Sequence, residues 1–197
     1  MKNIFLMVGV LIGTGAVAQN GVRLGTPAFG GNGCPAGTAS ASITNDGQTL
    51  SILFDEYIAE AGRTTNRRMD RKSCNVSVPV LVPQGFSVAV FKVDYRGFNS
   101  LPSGANSQFN VEYFFAGSQG PRYTENFRGP LEDDYLITNR LLATSLVWSP
   151  CGQQVILRAN SSMRATANSR MDQTMSTVDS ADVESGLIYH LQWKRCR

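Results

Sequence analysis

The chain has 197 residues, 42% of them hydrophobic and only 17% charged, with 18 Lys and Arg against 15 Asp and Glu for a formal net charge of +3. That length supports one domain with a real core, and a charge so near neutral gives no reason to expect nucleic acid as a partner. Abundant Gly, with plentiful Ser, Thr and Val, suits an all-β domain and argues against a helical one.

Met1 to Ala18 reads as a cleavable export signal. Lys2 supplies the positive end, and Ile4 to Ile12 is an apolar run broken only by Gly9. Ala16-Val17-Ala18 places small residues where a signal peptidase needs them, so cleavage is expected before Gln19. The run is too short to cross a bilayer and no second one follows, so no transmembrane segment is expected. The expected destination is outside the cytosol, extracellular or periplasmic.

Gln19 to Gly33, rich in Gly and Asn, is expected to be an extended lead-in, and residues 34–197 a single domain. Ala39, Ala41 and Ile43 alternate along a first strand. Asp46-Gly47 offers hairpin chemistry, and Leu50, Ile52 and Phe54 return. Glu56 to Ser73 holds Arg63, Arg67, Arg68, Arg71 and Lys72; the stretch could grip an anionic polymer or a membrane surface, but Glu60 and Asp70 dilute its charge and a solvated loop is favoured. Val76, Val78, Val80 and Val82 mark one buried face, with Pro79 pointing the other way and placing that strand near an edge or at a bulge.

Phe86 to Tyr95, apolar on both sides around Val88 to Phe91, reads as a central strand. Phe109, Val111, Tyr113 and Phe115 form a further face. Tyr123 to Arg128 and Tyr135 to Leu141 are weaker strand patterns on either side of Gly129-Pro130. Ser145 to Trp148 and Val155 to Asn160 flank a turn at Pro150-Cys151-Gly152. Met163 to Asp182 reads as a solvent-facing hairpin turning near Asn168, and Leu187, Tyr189, Leu191 and Trp193 close the core. About eight to ten short strands punctuated by Gly and Pro predict a single-domain β-sandwich, jelly-roll or immunoglobulin-like.

Cys34, Cys74, Cys151 and Cys196 are expected to form two disulfides, because export takes the chain to an oxidising compartment. Four cysteines allow three pairings. The pairing favoured is Cys34 with Cys74, tying the first hairpin and the arginine stretch to the next strand, and Cys151 with Cys196, locking the last strand to the Pro150 turn. No two cysteines lie close enough in sequence for a zinc knuckle or a redox C-x-x-C.

His190 is the chain's one histidine, and no G-x-S-x-G elbow accompanies it, so no catalytic residue is assigned. Asp55-Glu56 and Glu132-Asp133-Asp134 are the acidic clusters, and Glu132 to Asp134 is expected first of all to be a solvated turn after Gly129-Pro130. Their carboxylates could serve glycoside hydrolysis at separations of about 5 to 10 Å. They could also bind Ca²⁺ on loops of an exported β-domain. No other metal or cofactor is implied. Asp55, Glu56, Asp133, Asp134 and His190 form the candidate polar cluster.

Several strings occur in order: Asn32-Gly33-Cys34-Pro35-Ala36-Gly37-Thr38, Phe54-Asp55-Glu56, Val82-Pro83-Gln84-Gly85-Phe86, Val93-Asp94-Tyr95-Arg96-Gly97-Phe98, Gly129-Pro130-Leu131, Leu146 to Gly152 and Tyr189 to Cys196. Together they resemble the secreted domain-of-unknown-function family 4360 of fungi and bacteria, over residues 32 to 196. The resemblance implies secretion, a β-rich domain and four matched cysteines, and it carries over no catalytic residue. The expected function is non-catalytic binding of a polysaccharide or of an envelope or surface protein. The alternative is an extracellular polymer hydrolase working through the clustered carboxylates.

Overall fold

A computed structural model describes residues 23–45, 48–140, 146–178 and 187–196. The expected leader at Met1 to Ala18 and the Asp46-Gly47 turn lie outside the described residues. The strands are β1 (Arg23–Leu24), β2 (Ala28–Gly30), β3 (Ala39–Ile43), β4 (Thr49–Phe54), β5 (Ile58–Ala61), β6 (Met69–Leu81) and β7 (Phe86–Leu101). They continue with β8 (Asn106–Phe115), β9 (Arg122–Arg128), β10 (Leu131–Arg140), β11 (Val155–Thr166), β12 (Thr174–Thr177) and β13 (Leu187–Arg195). No helix occurs among the described residues.

The strands form two antiparallel sheets. The six-stranded sheet runs β1-β6-β11-β8-β9, with β2 also on β6. The seven-stranded sheet runs β3-β4-β13-β7-β12-β5, with β10 on the other edge of β7. The fold is thus the expected all-β sandwich. Its core is built from the alternating residues the sequence marks. Val76, Val78 and Val80 of β6 and Phe109, Val111 and Tyr113 of β8 line the inner face of one sheet and meet Val93 and Tyr95 of β7 from the other, all at most 2% exposed. Tyr95 and Phe109 meet edge to face across the sheets at 5.3 Å.

Two polar side chains that enter the core form hydrogen bonds across it. Tyr57 shares a 3.1 Å hydrogen bond with Ser161 of β11, and burial pushes its hydroxyl pKa well up, so it stays protonated. Fully buried Asn99 of β7 accepts from Ser107 of β8 and Ser176 of β12 at 3.0 and 2.6 Å. The disulfides are Cys34–Cys74 and Cys151–Cys196, the favoured pairing.

Three local expectations give way to tertiary pairing. The loop favoured over Glu56 to Ser73 instead contains β5 and the start of β6, because β11 supplies a long partner reaching Met69. Glu132, Asp133 and Asp134 are not a turn. They lie in β10, paired with Ser100, Asn99 and Phe98 of β7. The described part of the Met163 to Asp182 stretch, up to Val178, is not a solvent-facing hairpin: β11 and β12 belong to different sheets, and Met163, Ala165, Thr174 and Ser176 are fully buried, while residues 179–182 lie outside the described residues. Pro79 does sit on a broken edge, at the gap where β2 stops pairing with β6 and β1 begins.

The double-sided apolar look of Val88 to Phe91 also has a structural cause. Opposite β13, His190 pairs with Lys92 but Leu191 pairs with Val90, so Phe91 is an extra residue in β7. This bulge switches the inward positions from Val88 and Val90 to Val93 and Tyr95. It thereby turns Lys92 and Asp94 outward.

Candidate functional site

On the six-stranded sheet the outward positions are mostly polar, with Met69, Leu81, Phe114 and Ile156 among the apolar exceptions. β6 presents Arg71, Ser73 and Asn75; β11 presents Arg158, Asn160, Ser162 and Arg164; β8 presents Gln108, Asn110 and Glu112; β9 presents Arg122, Thr124 and Asn126. Register lines these up in rows across the strands. Asn160 lies between Asn75 and Glu112, with Arg122 next; Ser162 lies between Ser73 and Asn110, with Thr124 next; Arg164 lies between Arg71 and Gln108, with Asn126 next.

A groove of about 470 Å³ runs over these rows, lined among others by Arg71, Asn75, Asn110, Glu112, Thr124 and Asn160. A second hollow of about 570 Å³ lies along the same β8 and β9, with Asn106, Asn126 and Arg128 in its wall. Part of the groove wall is held by a chain of hydrogen bonds. Thr124 donates to Asn110 at 2.8 Å, Asn110 donates to Gln108 at 3.2 Å, and Gln108 donates to Asn126 at 2.8 Å. Amides fixed in this way present their remaining donors and acceptors at a small entropy cost.

The seven-stranded sheet carries a different cluster on its own outer face, across the molecule. Asp94 of β7 accepts hydrogen bonds from Thr138 of β10 at 2.7 Å and from Lys92 at 2.9 Å, and it contacts His190 Nε2 at 2.7 Å. Its side chain is only 11% exposed. Burial opposes ionisation, but the hydrogen bonds from Thr138, Lys92 and His190, with the Lys92 charge, outweigh it. The carboxyl is held below the usual carboxylate range. This is an ion network that ties three adjacent strands together, and the Thr138 hydroxyl is spent on the carboxylate.

Of the sequence-predicted cluster, only His190 enters such a network, and its partner is Asp94. Asp55 and Glu56 are exposed in the turn between β4 and β5. Asp133 and Asp134 are exposed on β10, on successive and therefore opposite-facing positions. The row through Asp133 passes Asn99 of β7 and Ser176 of β12 before reaching Ala59 of β5. Two strands thus separate the two acidic pairs, and the four carboxylates share no cleft. Among the described residues, no three His, Cys, Asp or Glu side chains come together to hold a metal.

Apart from Arg71 of the arginine stretch, the groove residues carry no site expectation from the sequence. Their signal was present as polar alternation in Arg71-Ser73-Asn75, Gln108-Asn110-Glu112 and Arg158-Asn160-Ser162-Arg164, but any solvent-facing half of a strand carries the same pattern.

Residues 20–196 match the family described as Domain of unknown function (DUF4360). A protein of the fungus Arthroderma benhamiae, named an uncharacterized secreted protein, is 35% identical over 164 residues, which span 83% of this chain and 67% of that protein. Among solved structures, TmCBM61 in complex with beta-1,4-galactotriose aligns over 86% of this chain and 88% of its own, at 10% identity and a TM-score of 0.28. A superposition that loose leaves the ligand of this chain to be argued from its own residues. With four cysteines paired as two disulfides and a match spanning residues 20–196, the chain belongs to the DUF4360 family.

Proposed function

We propose that the protein is a non-catalytic binder that lays an extended polysaccharide across the outer face of the six-stranded sheet. The observation that supports this most is the groove over β6, β11, β8 and β9, walled by ordered amides, hydroxyls and guanidinium groups. Sugar hydroxyls are both donors and acceptors, and side-chain amides match them with both. Such a groove suits a polymer better than a small molecule, because it is open and repeats the same chemistry in successive rows. The dispersal of Asp55, Glu56, Asp133 and Asp134 removes the geometric support for the hydrolase alternative. The leader expected at Met1 to Ala18 and the two disulfides fit work outside the cytosol.

Native affinity electrophoresis through gels holding single polysaccharides tests the reading. At least one polymer is expected to retard the protein, without releasing reducing sugar. Asn110→Ala with Asn160→Ala is expected to restore free mobility while leaving the melting temperature within a few degrees. Unchanged mobility across a broad neutral and acidic polymer set would overturn the proposal.

A further inference from the structure

Resting on that reading, we propose that the polymer is anionic, an acidic polysaccharide bearing carboxylate or sulfate groups, and that Arg71 and Arg164 form its charge-reading subsite. The two arginines are direct cross-strand partners on β6 and β11, which sets their Cα atoms about 5 Å apart. Like charges directly opposite on one face repel. No acid occupies the neighbouring outward positions, which are Ser73, Ser162, Gln108, Asn110, Thr166 and Met69.

Arg71 donates to Ser162 at 3.2 Å, and Arg164 Nε is buried with no hydrogen-bond partner. Arg128 and Arg158, on the same face, likewise form no ion pair among the described residues. The single outward acid of these rows, Glu112, is taken by Arg122 at 3.3 Å.

Two arginines off this face do have acid partners. Asp70 accepts Arg67 at 3.2 Å, and Asp172 accepts Arg170 at 3.1 Å. The face that holds the groove thus sets Arg71, Arg128, Arg158 and Arg164 on neighbouring strands with no acid paired to them among the described residues. A guanidinium offers a planar fork that matches a carboxylate or sulfate. The amides around the pair supply what the sugar hydroxyls need. Nucleic acid fits less well. Phe114 is the one aromatic among the outward positions paired across β8 and β11, at the far end from Arg71, so stacked bases would find no platform along the rows.

The test titrates the purified protein with four probes: polygalacturonate, fully methyl-esterified polygalacturonate, dextran sulfate and single-stranded DNA. Polygalacturonate or dextran sulfate is expected to bind, and the two arms separate carboxylate from sulfate recognition. The esterified polymer, and the R71Q/R164Q variant with the acidic polymer, are each expected to bind at least about tenfold more weakly. Arg140→Gln, on the opposite sheet, is expected to change nothing. Added salt is expected to weaken binding.

Equal affinity for the esterified polymer would overturn the anionic inference and leave the glycan reading standing. No binding to any glycan would end both. DNA bound as tightly as the acidic glycans would mark simple cation attraction and overturn the assignment. An R71Q/R164Q variant that keeps full affinity and a native melting temperature would remove the subsite.

Discussion

Asp94 shows how one carboxylate makes stability depend on pH. In the unfolded chain it titrates at about 3.9; in the folded protein its pKa is lower, for the causes given above. A depressed folded pKa stabilises the fold at all pH values above the unfolded one. That contribution is lost as pH falls through the folded value. Asp94→Asn keeps the shape but removes the charge that Lys92 and His190 address. At pH 7 it is expected to cost about 2 kcal/mol, the scale of hydrogen bonds to a charged group. Urea denaturation at pH 7 and pH 3 checks this. The gap between wild type and variant should narrow at the lower pH, as the wild-type carboxyl protonates. An equal loss at both pH values would mean that packing, not charge, is at stake.

At the scale of the strand, β10 gives the acidic cluster a physical purpose. It is ten residues long and pairs only with β7 among the described residues, so its other edge offers open backbone groups. Leu136, at 63% exposure, makes that edge partly apolar. Charges along an edge keep a second chain from adding to the sheet, and Glu132, Asp133, Asp134 and Arg140 stand there. Glu132→Val with Asp134→Val is expected to produce dimers and larger species in size exclusion with light scattering. Monomer stability should move by no more than about 0.5 kcal/mol, as for ordinary surface changes.

The same strand shows what the sequence could convey. Burial in β6 and β8 is written in Val, Phe and Tyr at every second position, so those faces were legible. Glu132 to Asp134 was not legible as strand, because acids carry little β-propensity and only the pairing with β7 decides the matter. The register shift at Phe91 left only an ambiguous apolar run as its trace. The groove was hidden for another reason: outward Asn, Ser and Arg look alike whether they meet water or a ligand.

At the scale of the molecule, the disulfides divide the labour between core and rim. Cys34 and Cys74 are fully buried, and Cys74 lies in β6 between Ser73 and Asn75, both in the groove wall. Cys151 is exposed, in the turn before β11, and its partner Cys196 follows the end of β13. Sequence separations of 40 and 45 residues give each bridge about 4 kcal/mol in the chain-entropy model, less any native strain. Their similar loop lengths make access, not energy, the deciding difference. Thiol exchange requires an attacking thiolate to reach a sulfur, and Cys34–Cys74 is reachable only after the sheet opens.

Reductant added without denaturant should therefore open Cys151–Cys196 first. Alkylation followed by mass spectrometry is expected to label Cys151 and Cys196 while Cys34 and Cys74 remain joined. Polysaccharide retardation should survive that first step, because β6, β8, β9 and β11 keep their register. It should vanish only when the second bridge opens and the rows around Cys74 come apart. Simultaneous labelling of all four cysteines would mean that the rim bridge holds the whole sandwich closed, and that the groove depends on it as well.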